Sequence, residues 1–147
     1  MSGKTARDFF TKQEAEQIVK TIAEAEKRSS GEIRLHVEDA CAVPVLQRAE
    51  EVFVKYGMHQ TEEHNGVLFY LAVKSHDFAV AGDSGIHEKV KQDFWEDIRR
   101  IVLQHFKEEK YAEGLCRGIE LCGLQLQKYF PLKENDKNEL SDEISFG

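Results

Sequence analysis

Apolar residues recur along this chain at two periods, and the switches between them mark out the elements. Ala15, Ile18, Val19, Ile22, Ala23 and Ala25 follow the helical period. Thr11 and Glu14 stand at the spacing of a capping box, with Phe10 before the cap as a staple residue, so a first helix is expected to start there. It should stop at Ser29-Ser30-Gly31. The period then drops to two: Ile33, Leu35 and Val37 alternate with Glu32, Arg34 and His36, which predicts a strand over 31–37 with one buried and one polar or lightly covered face. Helical spacing returns over 43–56, with Pro44 in the first turn and Val45, Leu46, Ala49, Val52 and Phe53 expected to face inward; Gly57 ends this second helix.

A polar loop over 58–64 leads to two apolar runs, 67–73 and 78–81, separated by the turn residues Lys74-Ser75-His76-Asp77. That is a strand, a turn and a strand, closed by Gly82-Asp83-Ser84-Gly85. A third helix is expected after Gly85, carrying Phe94, Trp95, Ile98, Ile101, Val102 and Phe106 along one stripe, and a fourth over 112–130, stopped by Pro131. The order is helix, strand, helix, strand, strand, helix, helix. A strand–helix–strand crossover favours a parallel pair, and the hairpin adds an antiparallel neighbour. The pattern therefore predicts an α/β protein, a small mixed β-sheet with helices on both faces. We divide it into an N-terminal arm (1–9), a single domain (10–131) and a polar, acidic tail (132–147) expected to be flexible, with Ile144 and Phe146 able to dock locally.

Composition narrows the function classes. At 147 residues the chain is long enough for one domain with a sizeable core. The net charge of −7 and the absence of a basic patch argue against nucleic acid as a partner. No apolar run reaches the roughly 20 residues of a membrane span, and no apolar stretch follows the first residues as in a secretory signal, so a cytoplasmic location is expected. Three cysteines, an odd number, suit a reducing compartment. Cys116 and Cys122, six positions apart on the fourth helix, are rotated by about 240° and separated by roughly 9 Å along its axis, so they are expected to be small buried residues and not a disulfide.

The topology brings candidate chemistry together. If the first two strands are parallel, Glu32 and Asn65 begin neighbouring strands at one edge of the sheet, and Asp83 follows the antiparallel third; Glu88 comes soon after, while Glu38 and Asp39 fall at the opposite edge. Carboxylate and amide oxygens converging from several loops suit a hard cation. Glu32, Asn65, Asp83 and Glu88 are therefore candidate ligands for calcium or magnesium. The competing structural roles are ordinary: a solvated Glu32, turn chemistry at Asn65-Gly66, and helix capping by Asp83. Gly82-Asp83-Ser84-Gly85 matches part of a serine-protease nucleophile signature, but Ile86-His87 follows where that signature requires glycine and proline. The histidines have no zinc-binding spacing. No Walker loop and no GxGxxG are present.

Phe10-Thr11 with the first helix, Ser30-Gly31-Glu32-Ile33, Asn65-Gly66-Val67-Leu68, Ala81-Gly82-Asp83-Ser84-Gly85-Ile86, Asp93-Phe94-Trp95 and Gly114-Leu115 together resemble the TPM-domain family, and the stretch 138–146 is similar to the tails of small stand-alone bacterial members. The resemblance covers roughly residues 9–131. It implies a three-layer α/β/α sandwich, binding of a divalent metal, typically calcium, and an acid-phosphatase activity ascribed to some plant members. It carries the family's acidic and amide positions onto Glu32, Asn65, Asp83 and Glu88. Neither the signal peptide nor the membrane segment of many members is expected here. No Cys-x5-Arg or paired-aspartate phosphatase signature is present, and Lys89 is the only basic residue tied to the proposed edge. The reading is a divalent-metal-binding domain without catalysis, with a metal-dependent phosphatase and a protein-interaction module that needs no metal as the alternatives.

Overall fold

The structure is a computed structural model and describes residues 5–132 and 142–147. Helix α1 (Lys12–Glu26) begins with the expected capping box: Thr11 Oγ1 accepts from the Glu14 amide at 3.0 Å and Glu14 Oε1 accepts from the Thr11 amide at 2.8 Å. Strand β1 (Glu32–Glu38) pairs in parallel with β2 (Gly66–Ala72), in a register that sets Glu32 opposite Gly66 and Glu38 opposite Ala72. Helix α2 (Val45–Lys55) connects them. The hairpin from β2 to β3 (Asp77–Gly82) is antiparallel.

Alternation along the strands sorts the core into two layers. Ile33, Leu35, Val37, Val67, Phe69 and Phe78 face α1 and two later helices, α4 (Gln92–Lys107) and α5 (Tyr111–Tyr129). Leu68, Tyr70, Ala72, Ala79 and Ala81 face α2 and Met58. The result is the expected three-layer α/β/α arrangement. Cys116 and Cys122 are buried on α5, and burial pushes both thiols up. No helix of the described residues is long and apolar enough to cross a membrane.

Three sequence expectations differ from the structure. The third helix is two: a single turn, α3 (Ser84–His87), and α4, separated where Lys91 adopts an extended conformation just before the longer helix. No glycine or proline marks that break, so periodicity runs through it. Leu46 does not face inward: it is 51% exposed, because the inward stripe of α2 runs through Arg48, Ala49, Val52 and Phe53, with Val45 packed at its start. The described end of the tail is ordered, with Ser145–Phe146 forming β4 parallel to β1 and giving the sheet order β3-β2-β1-β4. Two residues are too few to carry a period, and only the apolar Ile144 and Phe146, packed against the core, gave a signal. The rest of the expected flexible tail, 133–141, lies outside the described residues.

Candidate functional site at the starting edge of the parallel strands

The hydrogen-bond register determines what meets at this edge. The Glu32 amide donates to the Asn65 carbonyl at 3.3 Å, and the Asp83 amide donates to the Gly66 carbonyl at 3.0 Å. Glu32, Gly66 and Asp83 therefore occupy one row across three strands, and residues of one row project to the same face. Gly66 puts no side chain between the two acids. Its own Cα packs against the Met58 carbonyl, where an added Cβ would sit at 3.0 Å.

Asn65 is 2% exposed; its Nδ2 donates to Ser30 Oγ at 3.2 Å, which leaves Oδ1 as an acceptor. Asp83 caps α3, Oδ1 accepting from the Ser84 amide at 2.7 Å. Its other oxygen, Oδ2, is buried without a hydrogen bond; His64 Nδ1 lies 3.4 Å away but is not aligned for one. His64 itself is held in the left-handed region (φ 51°), and its carbonyl accepts from the Gly85 amide at 2.9 Å. That approach is so close that a Cβ on Gly85 would fall 2.4 Å from the Glu63 carbonyl oxygen. Gly85 thus lets α3 lie directly on the 61–64 loop and fixes where Asp83 points.

The structure therefore brings Glu32, Asn65 and Asp83 to one edge. Glu88 is exposed at the C-terminal end of α3, a turn beyond Asp83. Lys89 directs its ammonium to the Tyr129 carbonyl at 3.4 Å and over the Phe130 ring. Sequence reasoning missed two carboxyls here. Glu26, at the end of α1, accepts from the Ile33 amide through Oε2 at 2.7 Å. Burial, a hydrogen bond with Asp142 and the nearby charge of Glu32 push its carboxyl up to about 10. Glu26 continues the Ile18–Ile22 spacing as its last, charged position and Asp142 stands in the tail, so neither drew notice as an apolar signal.

The opposite end of the same strands holds a second polar cluster that the sequence did not reveal. Glu38 accepts from Arg48 Nε (2.9 Å) and Nη2 (2.6 Å), from the Tyr70 hydroxyl (2.6 Å) and, through Oε2, meets His36 Nε2 at 3.1 Å. The Arg48 bonds above all hold the Glu38 carboxyl down at about 2. Burial pushes His36 down against the pull of Glu38. Ser145 of β4 lies 2.7 Å from His36 Nδ1 and closes the cluster. The signal in the sequence was Arg48 on the inward face of α2, opposite the polar face of β1.

Among the described residues no three His, Cys, Asp or Glu side chains gather as a metal-holding group. A cation at the starting edge would draw on mixed oxygen donors: the buried Asp83 Oδ2, the Asn65 amide oxygen, Glu32 and main-chain carbonyls. That donor set fits a hard cation and not a transition metal.

The family model of the TPM domain matches residues 4–123. The NMR structure of BA42 from the psychrophilic bacterium Bizionia argentinensis is similar at 43% identity, covering 95% of this chain and 97% of that one, with a TM-score of 0.90. Two N-terminal domains share the fold at lower identity. One, from a P. gingivalis protein, is 17% identical with a TM-score of 0.69 over 84% of this chain and 80% of its own. The other, from the cg2496 protein of Corynebacterium glutamicum, is 12% identical with a TM-score of 0.66 over 80% and 74%. No curated protein matches the sequence.

Proposed function

The chain belongs to the TPM-domain family, and from that premise we propose that it binds a divalent cation, calcium or magnesium, at the Glu32–Asn65–Asp83 edge and performs no catalysis there. The observation that carries this reading is the buried Asp83 Oδ2, which makes no hydrogen bond in a row that also contains Glu32 and has no side chain at Gly66. A buried carboxylate oxygen without a donor is costly unless something positive meets it. The crowding of acids around Glu26 adds to that deficit. Glu88 is the outermost of the four ligands and would act from the rim.

The non-catalytic reading is favoured over a phosphatase by Lys89. Its ammonium is engaged by Tyr129 and Phe130, and phosphoryl transfer needs a cation aimed at the phosphoryl oxygens. The three cysteines are unpaired, in keeping with a reducing, cytoplasmic location.

The test is a titration of the chelator-treated full chain with calcium and with magnesium, followed by amide NMR. Saturable shifts at Glu32, Asn65 and residues 82–88, abolished by Asp83→Asn, are expected. Diffuse or absent shifts overturn the site. Turnover of a phosphomonoester that disappears in chelator and in Asp83→Asn would replace the non-catalytic reading with the phosphatase one.

A further inference from the structure

We propose that the free edge of β3 binds an extended, basic peptide segment of another protein by strand addition. Among the described residues β3 is the outermost strand of the sheet on its side. Because the Asp83 amide bonds to Gly66, the antiparallel pattern turns Ala79 and Ala81 toward β2 and turns the amides and carbonyls of Phe78, Val80 and Gly82 outward.

Those outward groups open into a groove of about 400 Å³ that runs along the strand. One wall is the start of α2, with Leu46 and Glu50; the other is α4, with Trp95, Glu96 and Arg99. Gly82 lies directly under the Trp95 ring. Edge strands are usually blunted by lysine, proline or a bulge. Here Phe78-Ala79-Val80-Ala81-Gly82 carries none of these, and the exposed Leu46 extends the apolar floor. An added strand would alternate its side chains between the two helical walls.

Charge selects the occupant. Glu50 on one wall and Glu96 on the other outnumber Arg99, and the chain as a whole carries −7. A second copy laid edge to edge would bring acidic walls together on two molecules that already repel. A segment of paired lysines and paired valines would answer both walls, because neighbouring side chains of a strand point to opposite faces: one lysine of a pair reaches Glu50 and the other Glu96, and the valines cover Leu46 and Val80.

The probe is an acetylated, amidated Lys-Lys-Val-Val-Lys-Lys peptide, with a Glu-Val counterpart that has glutamate for each lysine, titrated into the isotope-labelled full chain. The expected result is saturable amide shifts, larger at Phe78, Val80 and Gly82 than at Ala79 and Ala81, with a shift of the Trp95 indole and weakening in high salt. Val80→Pro, which removes one outward donor, should weaken binding at least tenfold. Glu50→Lys with Glu96→Lys, a surface change that leaves the strand intact, should reverse the preference toward the Glu-Val counterpart. Equal binding of the Glu-Val peptide to the unaltered protein, shifts elsewhere, or none at millimolar peptide would each overturn the proposal. Self-association without peptide that Val80→Pro abolishes would assign the edge to a second copy instead and overturn it as well.

Discussion

The two ends of β1 hold acids in opposite condition. At its far end Glu38 is saturated: a guanidinium, a phenol and an imidazole meet its two oxygens, and its carboxyl is drawn down to about 2. At its near end Asp83 keeps one buried oxygen without a hydrogen bond, and Glu26 is pushed up to about 10 by burial and by its acidic neighbours. Carboxyls gathered at the two ends of one strand, those of the near end brought there by α1 and the end of β3, do structural work at one end and crowd together at the other. What separates them is the supply of cationic donors: α2 delivers the Arg48 guanidinium to the far end, while the near end has backbone amides, the Asn65 amide and the half-exposed His64 beside Asp83.

The sharpest way to break this contrast is at Glu38. Replacing it with alanine strands Arg48, Tyr70 and His36 together, and should cost about 3–5 kcal/mol in chemical denaturation while leaving any calcium-induced shifts in place. The pH dependence follows the same logic. A carboxyl drawn from an ordinary 4.5 to about 2 contributes stability that is present above 4.5 and lost as pH falls toward 2. The wild type should therefore lose stability across that acid window, and Glu38→Gln should lose much less across it.

Glu26 has the reverse sign. The folded protein holds a proton that the unfolded chain releases above 4.5, so stability falls as pH rises from 4.5 toward about 10. Glu26→Gln keeps an acceptor for the Ile33 amide and should stabilise the protein by about 1–2 kcal/mol at pH 8, with little gain at pH 5. Gly66→Ala tests the empty place in the row. Its Cβ would press on the Met58 carbonyl, costing about 1 kcal/mol, and would weaken cation binding by crowding the row between Glu32 and Asp83. The smallest change in stability is expected from Asp83→Asn, within about 0.5 kcal/mol because asparagine caps helices as well as aspartate does. That variant should nonetheless abolish the calcium-dependent amide shifts.

Much of this molecule was legible in its sequence where one period dominates. The capping box of Thr11 and Glu14, the alternation of β1, and the paired apolar runs of β2 and β3 all reported local geometry, and together they placed Glu32, Asn65 and Asp83 at one edge. What stayed hidden depends on partners distant in the chain. His36 read as part of a polar or lightly covered face and Glu38 as a residue at the edge beyond the strand, since nothing local to β1 shows that α2 will set Arg48 over them. Glu26 drew no notice at the end of α1, since its hydrogen-bond partner Asp142 lies more than a hundred residues away in the chain. The break before α4 and the outward turn of Leu46 were missed because apolar residues there continue a stripe that the backbone does not follow.

The parallel pairing of β4 with β1 has a bearing on synthesis. Ser145 meets His36 across 109 positions of chain, so during translation the His36–Glu38 pair is made long before the residue that closes over it. Until then the outer margin of β1 is an open template inside a cell full of other nascent chains. Glu26, on the helix that precedes β1 in the chain, accepts from the Ile33 amide and so fills the first open position on that margin without any help from β4.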